Sequence, residues 1–132
     1  MIFLNTDGGA RGNPGPAALA FVISDDKNKV LKKGGEFIGN ATNNVSEYKA
    51  LVRGLSEVLD LGIKAVKCRL DSELVVKQLN GEYRVKDTHL KDLFSHVKLL
   101  CEKFDFIEFM HVQRNENKEA DRIVNEVLDS KA

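Results

Sequence analysis

Residues 2–16 read IFLNTDGGARGNPGP. The apolar residues at the start of this stretch predict a short strand over residues 2–7, which Asp7 is expected to end. The glycines and prolines that follow predict a turn whose backbone is open to close approach by another molecule. Because a strand end holds its side chain rigidly, this junction predicts a functional carboxylate at one edge of a sheet.

The rest of the chain continues in a strand pattern and then changes to helical periodicity. Further strands are predicted at residues 18–24, 30–38, 64–70 and 106–112. Helices are predicted at residues 45–61, 72–79, 90–104 and 118–128. The resulting order, βββαβααβα, predicts an α/β fold with a mixed five-stranded sheet flanked by helices, in which three antiparallel strands are followed by two parallel strands.

Length and composition are typical of one globular domain, and we expect a single domain over residues 1–132. Lys plus Arg and Asp plus Glu number 20 each, and the resulting zero net charge argues against nucleic-acid binding by bulk electrostatic attraction alone. No apolar run reaches the length of a membrane span and no signal peptide is recognisable, so we expect a cytoplasmic protein. Cys68 and Cys101 lack metal-type spacing and are expected to be free thiols, although the sequence leaves a disulfide open.

Four carboxylates are placed at element boundaries, and each has a structural alternative. Asp7 could bind the backbone of its own turn, and Glu47 could form a capping box with Asn44 as the helix cap. Asp71 follows a predicted strand and could cap the next helix. Asp121 is near the start of the last helix, where the macrodipole stabilises a negative charge.

Considered together, these four carboxylates predict a metal site. If the first and fourth strands are neighbours, Asp7 and Asp71 lie side by side, and Glu47 and Asp121 project towards them from flanking helices. Such groups repel one another unless cations lie between them, and two hard cations about 3.5–4 Å apart need shared oxygen ligands. An all-carboxylate set without clustered Cys or His favours Mg²⁺ or Mn²⁺ over zinc.

Four segments of the chain carry a family resemblance, namely residues 7–16, 41–51, 71–79 and 117–121. In order, spacing and local context the chain resembles type 1 ribonuclease H over nearly its whole length. The resemblance implies the ribonuclease H-like fold and an endonuclease that cuts the RNA strand of an RNA–DNA hybrid, leaving 5′-phosphate and 3′-hydroxyl ends. It also implies two Mg²⁺ ions per active site, with Mn²⁺ as the alternative.

The resemblance further implies individual roles for the carboxylates. Asp7 would bridge both metal ions, and Asp121 would help to hold the ion that activates water. Glu47 and Asp71 would hold the ion at the leaving oxygen. Glu47 would also contact an RNA 2′-hydroxyl, the group that distinguishes RNA from DNA.

Substrate contacts are implied by the same resemblance. Asn13, Asn43, Asn44 and Gln78 match positions at the minor groove or sugar edges, and Thr42 matches a contact to a DNA phosphate. The backbone at Ala10 and Gly12 matches contacts to the RNA strand. The complete set of expected substrate-binding residues is Gly8, Ala10, Gly12, Asn13, Thr42, Asn43, Asn44, Ser72, Gln78 and Arg114. Helix capping and turn formation are alternatives for residues 42–44.

The chain also departs from relatives in the family. The loop over residues 113–117 lacks the histidine that many relatives carry and offers Arg114, which could contact the scissile phosphate or be a solvated surface charge. The connector over residues 81–88 is short and offers only Arg84 and Lys86, so we expect binding of the RNA–DNA hybrid to be strongly salt-sensitive and weaker than in relatives with a basic protrusion or a hybrid-binding domain. We expect a monomer. The sequence leaves open whether double-stranded RNA is also cut. The alternative function is a catalytically silent module that binds hybrid or double-stranded RNA.

Overall fold

A computed structural model describes residues 1–132 of the chain. It contains five strands, which are β1 (Ile2–Ala10), β2 (Gly15–Ser24), β3 (Val30–Ala41), β4 (Ala65–Leu70) and β5 (Phe106–His111). It contains four α-helices, which are α1 (Asn43–Asp60), α2 (Glu73–Leu79), α3 (Thr88–Cys101) and α4 (Lys118–Ser130), and a 3₁₀ turn at Arg114–Glu116. The predicted order βββαβααβα is confirmed.

The strands form one mixed sheet in the order β3-β2-β1-β4-β5. β1 pairs antiparallel with β2 and parallel with β4, and β4 pairs parallel with β5. The predicted α/β architecture, with three antiparallel strands followed by two parallel ones, is therefore confirmed. Since β1 lies at the centre and β4 beside it, the expected proximity of the first and fourth strands is also confirmed.

The first strand is longer than the sequence predicts. Asp7 pairs with Ala20, and pairing continues to Ala10 opposite Ala17, so Asp7 lies inside β1 instead of ending it. The prediction that the turn starts at Gly8 was wrong, because β2 begins at Gly15 and supplies backbone partners for all three residues after Asp7. Glycines that would otherwise favour a turn are held in the extended conformation by these ladder hydrogen bonds.

Helices cover both faces of the sheet and pack closely against it. On one face α1 crosses β1 at Gly54, where an added Cβ would lie 2.9 Å from the side chain of Leu4 and 3.0 Å from that of Thr6. On the other face a smaller core forms where Ala18 and Ala20 of β2 lie under Ile123 of α4, together with other residues of both elements. Side chains alternate along a strand, so Leu4 and Thr6 face α1 and Asp7 projects on the α4 side.

The capping roles suggested for Glu47 with Asn44 and for Asp71 were wrong, because other residues cap these helices. Thr42, not Asn44, is the N-cap of α1, and its hydroxyl accepts from Val45 N at 3.2 Å. The capping box at Glu47 was therefore wrong. Ser72, not Asp71, caps α2 by accepting from Val75 N at 3.3 Å. Both carboxylates are consequently left available for other partners.

Two further expectations concern the cysteines and the membrane. Cys68 and Cys101 are free, as predicted. None of the helices combines the length and the apolarity that crossing a bilayer requires.

Candidate active site

Asp7 lies near the middle of the sheet and is only 7% exposed. The parallel register pairs Asn5 with Arg69, and the same register two residues further along places Asp7 level with Asp71, directly after the end of β4. Two carboxylates therefore meet side by side where β4 ends next to β1, as the sequence predicted.

Glu47 reaches the same place from α1. One of its oxygens, Oε1, accepts a hydrogen bond from Gly8 N at 2.8 Å, which joins the helix to β1 immediately after Asp7. Only glycine fits at residue 8, because an added Cβ would lie 2.3 Å from the backbone carbon and oxygen of Ser46. The second oxygen, Oε2, is buried and has no hydrogen-bond partner.

Carboxylate oxygens of Asp7, Glu47 and Asp71 all lie within 4.8 Å of one another. Burial, reinforced by the charge of Asp71, raises the pKa of Asp7 to about 7. Burial and the neighbouring Asp7 also raise the pKa of Glu47, and burial raises the pKa of Asp71, an effect that the adjacent side chain of Asn117 limits. In all three carboxyls burial is the main cause of the raised pKa, and repulsion between neighbouring carboxylates adds to it.

These residues fit a hard divalent cation. The donor set consists of carboxylate oxygens alone, as Mg²⁺ and Mn²⁺ prefer, and the buried Oε2 of Glu47 lacks any partner within the protein. Ionising a buried carboxyl without a partner is costly, which is why burial raises the pKa of Glu47, and a bound cation would offset that cost.

Asp121 lies in the first turn of α4 on the wall of the same cleft. Its Oδ1 accepts from Arg114 Nη2 at 3.2 Å, and the Arg114 side chain is 77% exposed. Asp121 is close enough to raise the pKa values of Asp7 and Asp71 by charge repulsion. It is not part of the group of three with oxygens within 4.8 Å of one another, and Arg114 lies beside it.

The cleft has a volume of about 440 Å³ and is open to solvent. Six of the predicted substrate-binding residues line it together with the four carboxylates, namely Gly8, Ala10, Asn43, Asn44, Ser72 and Arg114. The floor of the cleft is thus acidic, and its rim carries amide, hydroxyl and guanidinium groups. This pattern suits a ligand that combines phosphate groups with sugar hydroxyls.

The other four predicted substrate-binding residues lie outside the lining of the cleft. Asn13 is tied to its rim, because its side chain accepts from Asn43 N at 2.9 Å while the side chain of Asn43 accepts from Ala10 N at 2.9 Å. Gly12 belongs to the same turn, and Thr42 is occupied as the α1 cap. Gln78 is buried, and its Oε1 accepts from the hydroxyl of Tyr48 at 2.6 Å.

Further residues at the cleft are not among those that the sequence identifies. Arg11 lines it beside Asn125 and Leu128 of α4. Asn117, which the pattern places in a turn, is 1% exposed and hydrogen-bonded to β1. The one sequence signal for Asn117 is its position at the start of a segment shared with the family. Arg11 has a signal of the same kind, because it lies inside the shared segment over residues 7–16.

Comparison with known proteins places the chain in a family. The profile described as reverse transcriptase-like matches residues 5–127. Ribonuclease HI of Halobacterium salinarum is 41% identical over 123 residues, which are 93% of this chain and 62% of that protein. A bifunctional protein of Mycobacterium tuberculosis is 39% identical over 132 residues, which are 99% of this chain and 36% of that protein. The chain thus spans little more than a third of the mycobacterial relative and less than two thirds of the haloarchaeal one.

Solved structures agree with the sequence comparison. The crystal structure of RNase H1 from Halobacterium salinarum superposes with a TM-score of 0.95 at 39% identity and covers 98% of each chain. LC11-RNase H1, crystallised in complex with an RNA/DNA hybrid, gives a TM-score of 0.95 at 42% identity and covers 99% of each chain. The sequence profile, the shared sheet order and these superpositions lead to one conclusion. This chain belongs to the type 1 ribonuclease H family, within the group described as reverse transcriptase-like.

Proposed function

We propose that the chain is an endonuclease that hydrolyses the RNA strand of an RNA–DNA hybrid and leaves 5′-phosphate and 3′-hydroxyl ends. The observation that carries the proposal is the gathering of oxygens from Asp7, Glu47 and Asp71 within 4.8 Å at the floor of an open cleft. Further support comes from relatives named ribonuclease HI and RNase H1, one of which was crystallised with an RNA/DNA hybrid. The activity is assigned to one domain over residues 1–132 acting as a monomer, and its cytoplasmic location stays a prediction.

The proposed cofactor is a pair of Mg²⁺ ions, with Mn²⁺ as the alternative. Asp7, whose position is central among the carboxylates, would hold both ions. Asp121 would hold the ion on the side of the attacking water, and Glu47 with Asp71 the ion on the side of the leaving oxygen. The chemistry that such ions supply is activation of water and stabilisation of the departing 3′-oxygen.

Several groups of the protein prepare this site. Gly8 N–H fixes one oxygen of Glu47 at 2.8 Å, and the buried Oε2 has no hydrogen-bond partner within the protein. From this position Glu47 is proposed to accept a hydrogen bond from an RNA 2′-hydroxyl, which DNA lacks. The exposed guanidinium of Arg114 is proposed to donate to the scissile phosphate. Because a guanidinium stays protonated near neutral pH, Arg114 would stabilise charge and would not exchange protons.

The rim of the cleft is proposed to hold the hybrid by its shape. The side chains of Asn43, Asn44 and Ser72 and the backbone at Gly8 and Ala10 offer small polar groups suited to the wide minor groove of an RNA-containing duplex. Four further residues are proposed to contact the hybrid although they do not line the cleft, namely Gly12, Asn13, Thr42 and Gln78. The hydroxyl of Thr42 already accepts from Val45 N, so it would contact a DNA phosphate while capping α1.

The test is cleavage of an RNA–DNA hybrid labelled on either strand, with Mg²⁺ and with EDTA. We expect Mg²⁺-dependent cuts in the RNA strand only, and products that a polymerase can extend from their 3′-hydroxyl ends. Asp7→Asn should abolish cleavage without unfolding the protein. Asp92→Asn is the matched control, because Asp92 is exposed on α3 and lies outside the cleft.

Two outcomes would contradict the proposal. Cleavage that persists in EDTA or in the Asp7→Asn variant would show that the carboxylates are not the catalytic groups. Tight hybrid binding without cleavage in Mg²⁺ or Mn²⁺ would favour the alternative of a silent binding module. A parallel assay on double-stranded RNA determines whether that substrate is also cut.

A further inference from the structure

Arg11 is a cation at the cleft that the reaction described above does not use. It follows the last residue of β1 and lines the cleft together with residues of α4. Its Nη2 donates to Oδ1 of Asp129, in the last turn of α4, at 2.6 Å. Asp129 does not line the cleft, so this ion pair connects a cleft residue to the outer surface.

The backbone at Arg11 is fixed while its side chain is not. Arg11 N donates to Pro16 O at 2.8 Å, which closes the turn between β1 and β2. The same turn is held to α1 by the hydrogen bond between Asn13 and Asn43. In contrast, the side chains of Arg11 and Asp129 are 43% and 69% exposed. A solvated pair of this kind contributes only about 0–1 kcal/mol and exchanges partners readily.

The charges at the cleft favour exchange of Asp129 for a phosphate as the partner of Arg11. The lining contains four carboxylates and two arginines, of which Arg114 is the one proposed above to contact the scissile phosphate. A nucleic-acid strand that enters must keep its phosphates away from the carboxylates wherever no cation intervenes. Arg11 is the other lining cation, and a guanidinium binds phosphate through two parallel hydrogen bonds, more strongly than it binds one exposed carboxylate oxygen.

We propose that Arg11 binds a backbone phosphate of the strand that occupies the cleft, and that Asp129 holds Arg11 only while the cleft is empty. Asp129 is therefore a competitor of the phosphate and weakens substrate binding. This inference rests on the proposed function for the identity of the strand. The phosphate contact itself is independent of cleavage and is testable without it.

The alternative is that Arg11 and Asp129 simply tether the β1–β2 turn to α4. The two interpretations predict different signs for the change in hybrid affinity in two single variants. For a phosphate contact, Arg11→Ala weakens hybrid binding and Asp129→Asn strengthens it. For a tether, both variants break the same contact and shift binding in the same direction, or leave it unchanged together.

The experiment measures the binding of fluorescently labelled RNA–DNA hybrid by anisotropy, without divalent metal, from 25 to 200 mM KCl. We expect Arg11→Ala to raise Kd about tenfold at low salt, as for loss of one charge-assisted contact, and to reduce the slope of log Kd against log salt by about 0.9. Asp129→Asn should lower Kd by up to about fivefold, the range of an exposed ion pair. Arg11→Lys should keep the salt slope and recover part of the affinity, since it retains the charge.

Glu126→Gln is the matched control for Asp129→Asn. It also removes one negative charge from an exposed ion pair on α4, but its partner Arg122 is not at the cleft. Equal behaviour of Asp129→Asn and Glu126→Gln would mean that net charge, not release of Arg11, changes binding, and would overturn the proposal. An unchanged Kd and salt slope in Arg11→Ala would overturn it as well. Because no cleavage is measured, failure here is distinct from failure of the proposed nuclease activity.

Discussion

The side-chain amide of Asn117 donates to the backbone oxygen of Thr6 at 2.8 Å, deep inside the protein. Its Oδ1 accepts from the side chain of Asn5 at 3.0 Å, and its backbone oxygen accepts from Asp121 N at 3.1 Å. Since Thr6 precedes Asp7, the buried side chain of Asn117 fixes the start of α4 next to the middle of β1. The distance between Asp121 and Asp7 depends on this contact.

Replacing Asn117 with Ala should therefore affect both stability and activity. The variant leaves the backbone oxygen of Thr6 without its donor and creates a small cavity, which should cost about 2–4 kcal/mol of the free energy of unfolding. Cleavage of the hybrid should fall at saturating Mg²⁺, because α4 no longer holds Asp121 in place. Urea denaturation and kcat measure the two effects.

The matched control for this variant is Asn115→Ala, since Asn115 is exposed in the same loop. It should leave the free energy of unfolding within about 0.5 kcal/mol of the wild type. Equal stability and equal kcat for the Asn117 and Asn115 variants would disprove the positioning role of Asn117.

Gly8→Ala should separate α1 from β1. The added Cβ would lie 2.3 Å from backbone atoms of Ser46, so the start of the helix must shift and the hydrogen bond from Gly8 N to Glu47 should be lost. We expect a lower melting temperature and weaker Mg²⁺ binding by isothermal titration calorimetry. Gly9→Ala is the adjacent comparison, because its Cβ would meet only the side chain of Val124, at 3.5 Å. A Gly8→Ala protein as stable as Gly9→Ala would show that the close approach is not required.

Asp7 makes the metal-free protein less stable as the pH rises. Its folded pKa is about 7 and its ordinary value is 3.8, so between these values the folded protein retains a proton that the unfolded chain has lost. The free energy of unfolding therefore falls as pH increases through this window. Asp7→Asn removes this effect, and its stability advantage over the wild type should grow from pH 4.5 to 7.5, to at most roughly 4 kcal/mol.

This pH dependence is measured by urea denaturation of both proteins in EDTA. The informative quantity is the difference in the free energy of unfolding between the two proteins, because other carboxyls contribute a pH dependence of opposite sign. Glu119 is an example, since ion pairing with Arg122 lowers its pKa to about 2. Mg²⁺ added at pH 7.5 should stabilise the wild type and narrow the gap. A difference that does not change with pH would contradict the raised pKa of Asp7.

Tyr48→Phe tests the buried contact to Gln78. Tyr48 is fully buried, and without its hydroxyl the Oε1 of Gln78 loses its donor, which should cost about 1–2 kcal/mol of the free energy of unfolding. Tyr83→Phe, at a site 49% exposed, should cost little. The proposed substrate contact of Gln78 is tested by comparing KM in Gln78→Ala and Tyr48→Phe. An increase in KM in Gln78→Ala alone would favour direct contact of Gln78 with the substrate.

Local patterns in the sequence were sufficient for the element order and for the gathering of Asp7, Glu47 and Asp71. The change from alternating to helical periodicity near residue 45 predicts the helical connections that join the later parallel strands. The positions of Asp7 and Asp71 were predicted from the first and fourth strands. The end of β1 could not be predicted from residues 8–10, because the backbone partners that keep these residues extended belong to β2. The capping box at Glu47 was wrong for the same kind of reason, since Gly8 of β1 binds that carboxylate.

The sequence by itself determined which chemical groups the chain has and the element on which each lies. Tertiary structure alone decided the partners of these groups, through contacts between residues 39 apart for Gly8 and Glu47, 111 apart for Asn117 and Thr6, and 118 apart for Arg11 and Asp129. Periodicity and capping preferences report on neighbours within a few residues along the chain. Burial and charge, which set the pKa of Asp7 and leave Glu47 Oε2 without a partner, arise only when distant segments exclude water together.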